Sequence, residues 1–248
     1  MNKNLNYFRY SQNSINTYKS CPLKFKFKYI DNINWKYDDF SSEEYYTSLK
    51  LGREFHLLCE RYFSNIPLGN IEDNKFNKWI EKIKTLLPKN DKNLYLPEYE
   101  IRYTLNGNEI LAKYDLVVIG KNNIDIWDWK TEAKQINYKN VESRIQTIVY
   151  LALAKEVIPK IYKLNIKTED IKMKYYQPEF DEEPIVIAYD DEKHEKYIKK
   201  LSEYIDLIKR TNYQDNDGDM PIEKNEKHCN YCEFNKLCNN NKGGTYGT

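Results

Sequence analysis

Apolar side chains in this chain recur at helical spacing in some stretches and at strand spacing in others. Leu51, Phe55, Leu58 and Tyr62 mark one face of a helix predicted over Ser41–Ser64, and SSEE at its start offers a capping box. Ser11–Ile30 also reads as helix, broken at Cys21-Pro22; KFKFKY within it alternates like a strand, and helix is preferred. A further helix covers Asn74–Leu87 and stops at Pro88. The pattern then changes. Tyr99–Leu105, Glu109–Ile119 and Asn123–Lys130 read as strands joined by tight turns at Asn106-Gly107 and near Lys121-Asn122. Val141–Glu156 returns to helix, Lys172–Tyr176 and Ile185–Ala188 to strand, and Asp190–Thr211 to helix with Ile198, Leu201, Ile205 and Ile208 inward. This order predicts an α/β sandwich around a mixed sheet.

The hairpin around Gly120 carries the first chemistry. A two-residue loop at Lys121-Asn122 sets Gly120 opposite Asn123 and, counting outward, Asp115 opposite Asp128. Two opposed carboxylates repel, and a divalent cation between them reverses the sign of that interaction. Lys130, two residues after Asp128, projects from the same face of its strand. The run Leu116, Val117, Val118, Ile119 fits a strand buried on both sides. His56 sits one position off the apolar stripe of its helix, with Gly52 a turn before it to admit another backbone or a ligand, and Glu60 a turn after. Glu98 and Glu100 open the first strand; either could supply another carboxylate, and Glu98 is preferred. The pattern alone also suits solvated strand-end charges and a satisfied core histidine.

Composition narrows the class. The 248 residues suffice for one folded domain, and 40% hydrophobic against 31% charged residues describe a globular protein whose 23 tyrosines add apolar surface. A net charge of +1 supplies no global attraction to nucleic acid, so any such surface is a local basic patch. The start, MNKNLNYFRY, has no apolar leader core, and the longest apolar run, Ile148–Ala154, is too short for a bilayer; a cytoplasmic location and no membrane partner are expected. There is no phosphate-binding loop, so any unwinding would come from a partner.

Cysteine usage adds a second constellation. Cys229, Cys232 and Cys238 form C-x2-C-x5-C, and a fourth thiolate would come from Cys21 near the other end. In a reducing compartment this set reads as metal ligation, for zinc or an iron–sulfur cluster, rather than disulfides. Cys59 is left over and reads as a buried core thiol.

Together these residues resemble the PD-(D/E)XK nucleases, in their RecB-like iron–sulfur branch of AddB-type repair nucleases and CRISPR-associated exonucleases. The segments carrying the resemblance are SQNSINTYKSCPLKFKFKYI, LGREFH, AKYDLVV, IDIWDWKTEAK, QTIVY and the terminal cysteines. The resemblance implies a restriction-endonuclease-like mixed β-sheet flanked by helices. It implies one nuclease domain over residues 1–248, with a helical lobe at 41–88 and a catalytic core at 97–156. Cys21 with the 229–238 segment would then join the two ends of the chain. It further implies that His56, Asp115, Asp128 and the Trp129 carbonyl bind Mg²⁺ or Mn²⁺ and that Lys130 is the activating lysine. Gln146 and Tyr150 would contact DNA or the reacting phosphate. Cys21, Cys229, Cys232 and Cys238 would hold a 4Fe–4S cluster. Ala112 stands where the family usually has glycine, three residues before Asp115.

The expected function is therefore metal-dependent exonuclease action on single-stranded DNA or DNA ends, in repair, recombination or CRISPR adaptation, with a helicase or adaptation protein as partner. Lys24, Lys26, Lys28, Tyr29 and Trp35 offer basic and aromatic side chains for a strand. The competing reading is a non-catalytic DNA-binding or assembly module with a structural metal site of four cysteines.

Overall fold

A computed structural model describes residues 5–33, 43–180, 182–213, 229 and 232–240. Ser41 and Ser42 of the capping box and Trp35 lie outside them. The backbone divides into two compact units, Met1–Ser42 with Thr104–Ile110 and Lys200–Thr248, and Glu43–Tyr103 with Leu111–Lys199.

In the first unit, strand β1 (Tyr10–Ser11) leads into helix α1 (Gln12–Ser20), capped by reciprocal bonds between Ser11 and Ser14. Cys21 ends α1 in an extended conformation, as a residue before proline prefers, and Pro22 opens helix α2 (Pro22–Phe25). A π-helical turn, Lys26–Ile30, follows. KFKFKY is thus helical. Phe25 packs among Phe8, Tyr18, Tyr29 and Tyr213.

The second unit is built on a mixed sheet. Helix α3 (Glu43–Phe63) and helix α4 (Asn74–Leu86) precede it. Asp73 caps α4 by accepting the Lys75 amide at 2.7 Å, and Phe76, Trp79, Ile80 and Ile83 form its buried face. Strands β2 (Leu94–Leu105) and β3 (Asn108–Ile119) meet at Asn106-Gly107, both at positive φ as a tight hairpin turn requires. Strand β4 (Ile124–Trp129) pairs antiparallel with β3 in the register expected from the loop, Ile119 opposite Ile124 and Leu116 opposite Trp127. The Gly120 amide closes the turn on the Asn123 carbonyl at 2.9 Å, and a side chain on Gly120 would strike Asn123.

Strand β5 (Ile171–Tyr176) runs parallel to β4, and strand β6 (Ile185–Ile187) antiparallel to β5. The parallel pair requires a crossover, supplied by helices α5 (Tyr138–Glu142) and α6 (Ile145–Ile161). Helix α7 (Asp191–Arg210) follows the sheet, and helix α8 (Asn235–Asn240) lies near the end of the chain. Trp127, Trp129 and Tyr176 join α3 and α4 in one core, while Asp128 and Tyr175, pointing the other way, meet Gln146 and Thr147 of α6. Helices therefore cover both faces.

Three expectations need correction. The helix expected over Val141–Glu156 is two helices, because Arg144 takes an extended conformation and Thr147 instead bonds the Val141 carbonyl with its hydroxyl. It also runs on to Ile161, through Pro159. Strand β2 begins well before Tyr99, at Leu94. Glu98 lies inside it at φ 50°, a left-handed conformation that a side-chain-bearing residue adopts only under constraint.

Candidate metal and catalytic site

Phe55, Cys59 and Phe63 anchor α3 in the core and leave His56 at its edge. Cys59 is a buried core thiol, as expected, and burial pushes its pKa well up. Gly52 leaves room for a neighbouring side chain. An added β-carbon there would lie 3.1 Å from the Thr131 hydroxyl, so its bareness admits the residue that follows Lys130.

His56 Nδ1 lies 3.4 Å from Asp115 Oδ1, and its Nε2 faces the Trp129 carbonyl at 3.0 Å. Burial alone would lower the imidazole pKa. The Asp115 carboxylate, the Asp128 charge and the Trp129 carbonyl together outweigh it and raise the ring to about 8. The other oxygen of Asp115 accepts the Trp129 amide at 2.8 Å. Glu98 completes a group of three: donor atoms of His56, Glu98 and Asp115 all lie within 4.8 Å of one another. Its left-handed backbone is part of how β2 delivers that carboxylate. Lys113 pairs with Glu98 at 2.6 Å. Glu100 bonds Arg102 instead and stays out of the group.

Asp128 occupies a second, drier compartment. It is 1% exposed, its Oδ1 accepts from the Gln146 amide, and its Oδ2 lies 2.6 Å from the Lys130 ammonium. Lys130 also donates to Gln146 Oε1 at 3.1 Å, so Gln146 bridges acid and amine. Burial raises Asp128 to about 6 even though Lys130 opposes the shift. Burial disfavours the Lys130 charge as well, yet Asp128 and Asp115 hold its pKa above the ordinary lysine range. Both acids therefore favour the protonated amine.

Asp115 and Asp128, expected opposite each other, engage different partners. The β3–β4 ladder ends at Leu116 and Trp127, one pair short of the two acids. Asp115 turns to His56 and Glu98, and Asp128 to Lys130 and Gln146. Tyr150 is buried, and its hydroxyl donates to the Lys113 carbonyl while its own carbonyl accepts from Tyr114 at 2.9 Å. It holds β3 against α6.

The residues missed from sequence are Lys113 and Gln177. Lys113 had a signal, lying two residues before Asp115 on one strand. Gln177 had none. It is buried and holds the loop after Lys130 by accepting from Ile136 (2.7 Å) and donating to the Glu132 (3.2 Å) and Lys134 (3.0 Å) carbonyls.

In the first unit, the cysteine segments are tied together by their neighbours. Lys24 pairs with Glu233 at 2.6 Å, and the rings of Phe27 and Phe234 lie 5.5 Å apart. Cys232 is close enough to Cys21 to sense it electrostatically, although burial dominates its raised pKa. The Cys232 amide bonds the Cys229 carbonyl and the Cys238 amide the Phe234 carbonyl. Among the described residues the thiols form no group as tight as the His56 cluster. Lys24 and Lys26 are engaged by Glu233 and Asp31, which leaves less of the basic patch expected for a DNA strand.

The comparisons with known proteins agree with this architecture. A model of the PD-(D/E)XK nuclease superfamily matches residues 9–93 and 70–239, and the chain belongs to that superfamily. The crystal structure of a protein named "Putative exonuclease" from Eubacterium rectale superposes with a TM-score of 0.56 at 10% identity, covering 97% of this chain and 90% of that one. That similarity is one of fold. The crystal structure of SSO0001 aligns with a TM-score of 0.48 at 14% identity, over 96% of this chain and 87% of that one. Among curated proteins none matches. No helix among the described residues is long and apolar enough to cross a membrane.

Proposed function

We propose that the protein is a divalent-metal-dependent deoxyribonuclease that hydrolyses phosphodiesters in single-stranded DNA or at DNA ends. The observation that carries this reading is the meeting of His56, Glu98 and Asp115 donor atoms within 4.8 Å, beside the Asp128–Lys130–Gln146 network. One imidazole nitrogen with carboxylate oxygens is a donor set for Mg²⁺ or Mn²⁺. His56, Glu98 and Asp115 would hold the ion, with Asp128 and the Trp129 carbonyl as the further ligands that the family resemblance implies. A bound divalent ion supplies Lewis acidity toward the phosphoryl oxygen and lowers the pKa of its water.

The chain's own residues do the rest. Lys130, held as a cation by Asp128, would stabilise negative charge on the phosphate and donate toward an oxygen of the reacting group. Gln146 fixes Lys130 and Asp128 relative to each other. Tyr150 acts by position, bonding the strand that carries Asp115.

Cys21, Cys229, Cys232 and Cys238 are proposed to bind a 4Fe–4S cluster. The Lys24–Glu233 pair and the Phe27–Phe234 contact, which hold the two cysteine segments together, support the reading. Repair, recombination or CRISPR adaptation, with a helicase or adaptation partner, is the setting that the resemblance suggests.

Purified protein, labelled single-stranded DNA and Mn²⁺ test the enzyme: cleavage should occur and be lost in Asp128→Ala and Lys130→Ala. Binding without cleavage would favour the non-catalytic module, and cleavage surviving both substitutions would displace the site. Anaerobically purified protein should be brown and lose its colour in Cys232→Ser; a colourless, stoichiometrically zinc-loaded protein would refute the cluster.

A further inference from the structure

Two cations flank one buried ring beside the candidate catalytic site. Lys130 Nζ lies 5.6 Å from the centre of the Tyr175 ring, and the Arg144 guanidinium carbon lies 5.9 Å from the same centre. Tyr175 stands opposite Asp128 in the β4–β5 register and is fixed by a 2.7 Å bond between its hydroxyl and Thr147. Arg144 is the residue at which α6 begins, two positions before Gln146. The elements that orient Lys130 and Asp128 therefore also orient Arg144.

Its present partner is Glu132, two residues beyond Lys130, with one contact of 3.3 Å. The Glu132 side chain is 45% exposed and that of Arg144 29%. An accessible pair with one long contact contributes little in water and exchanges readily. A phosphate offers a guanidinium two parallel, charge-assisted hydrogen bonds, a better match to its planar fork than this single contact. Charge balance points the same way. His56, Glu98, Asp115 and Asp128 make a largely acidic centre, Lys130 is committed to Asp128, and Lys113 to Glu98. A polyanion approaching this centre gains from a further cation whose own ion pair is weak and exposed.

We propose that Arg144 binds a phosphate of the DNA strand next to the one at Lys130, and that Glu132 occupies Arg144 until that phosphate displaces it. The inference rests on the nuclease reading above. Two cations set around one tyrosine ring, 5.6 and 5.9 Å from its centre, are close enough together to address neighbouring phosphates of one strand. Glu132 then acts as an internal competitor of the substrate, and its removal should favour binding. The Glu132 backbone stays in place in such a variant, because its carbonyl is held by Gln177.

The test uses the full chain, Mn²⁺ and a labelled single-stranded oligonucleotide, with KM, kcat and the salt dependence of kcat/KM measured for Arg144→Ala, Arg144→Lys, Glu132→Gln and the Arg144→Ala/Glu132→Gln double variant. Arg144→Ala should raise KM about tenfold or more, the loss of one charged hydrogen-bonding group. It should also reduce the steepness of the logarithmic salt dependence by about 0.7, the value for one phosphate contact on a single strand. Arg144→Lys should recover the salt slope but only part of the affinity. Glu132→Gln should lower KM, and that gain should vanish when Arg144 is absent. An unchanged KM and slope in Arg144→Ala, or a Glu132→Gln gain that persists without Arg144, overturns the assignment while wild-type cleavage leaves the nuclease reading standing. A wild-type protein that neither binds nor cuts DNA overturns both. If Arg144→Ala does not fold, the single Glu132→Gln variant decides: an unchanged or raised KM overturns the proposal.

Discussion

The carboxylate of Asp115 accepts the backbone amide of Trp129 at 2.8 Å, so one side chain both closes the end of the β3–β4 hairpin and faces His56. This double duty separates two kinds of damage. Asp115→Asn keeps an acceptor for the Trp129 amide and should fold, yet lose cleavage by about a hundredfold or more, since metal-derived charge stabilisation is worth several kcal/mol. Asp115→Ala leaves that amide without its partner and should also lose about 1–3 kcal/mol of stability. Urea denaturation of both variants beside their Mn²⁺-dependent rates checks the split; equal stability would show that the bond is dispensable.

His56 gives the metal-free protein a definite pH response. Its pKa is raised from 6.5 to about 8 in the fold, so the folded state holds a proton that the unfolded chain releases earlier. The resulting stability is fully present below pH 6.5 and is lost as pH rises through about 8. Metal binding has the opposite sign, because the ion takes the deprotonated ring. NMR titration of the His56 ring should show a midpoint near 8 that falls when the diamagnetic ion Mg²⁺ is added. Calorimetry should give tighter Mn²⁺ binding at pH values above that midpoint than below it. A midpoint near 6.5 in the metal-free protein would contradict the Asp115 and Trp129 contacts.

Removing Lys130 should hurt in a pH-dependent way. Lys130→Met strips the counter-ion from a carboxylate that is 1% exposed and already raised to about 6. At about pH 8 that buried charge is uncompensated, a loss of about 3–5 kcal/mol by analogy with other broken buried pairs. Below pH 6 Asp128 can take up a proton and much of the loss should be recovered. Stability of wild type and variant measured on either side of that pH tests this; a penalty equal at both values would mean that Asp128 is not the group responsible.

Gln177→Leu should loosen the segment after Lys130 without touching the ligand set. The substitution leaves the Ile136 amide and the Glu132 and Lys134 carbonyls without their shared partner. Hydrogen exchange at Ile136 should accelerate, and stability should fall by about 1–3 kcal/mol. Unchanged protection at Ile136 would show that the loop is held by other means.

Much of this was legible from local chemistry. The Gly120 turn determined which β3 residue faces which β4 residue, because register follows from loop length and a slip would turn the apolar run outward. Pro22, Pro88 and the apolar stripe of α4 marked helix limits for equally local reasons, a missing donor and a 3.6-residue period. Tertiary structure decided what no window of sequence contains. Glu98 reaches His56 and Asp115 through a left-handed backbone turn inside a strand, Gln177 clamps a loop from a distant position, and β4 pairs parallel with β5 across the α5–α6 crossover. These depend on contacts closed over long separations, whose value arises only once the intervening chain has packed. Sequence by itself set the elements and the residue types at the site; packing chose which carboxylates gather at His56 and which one is paired with the lysine.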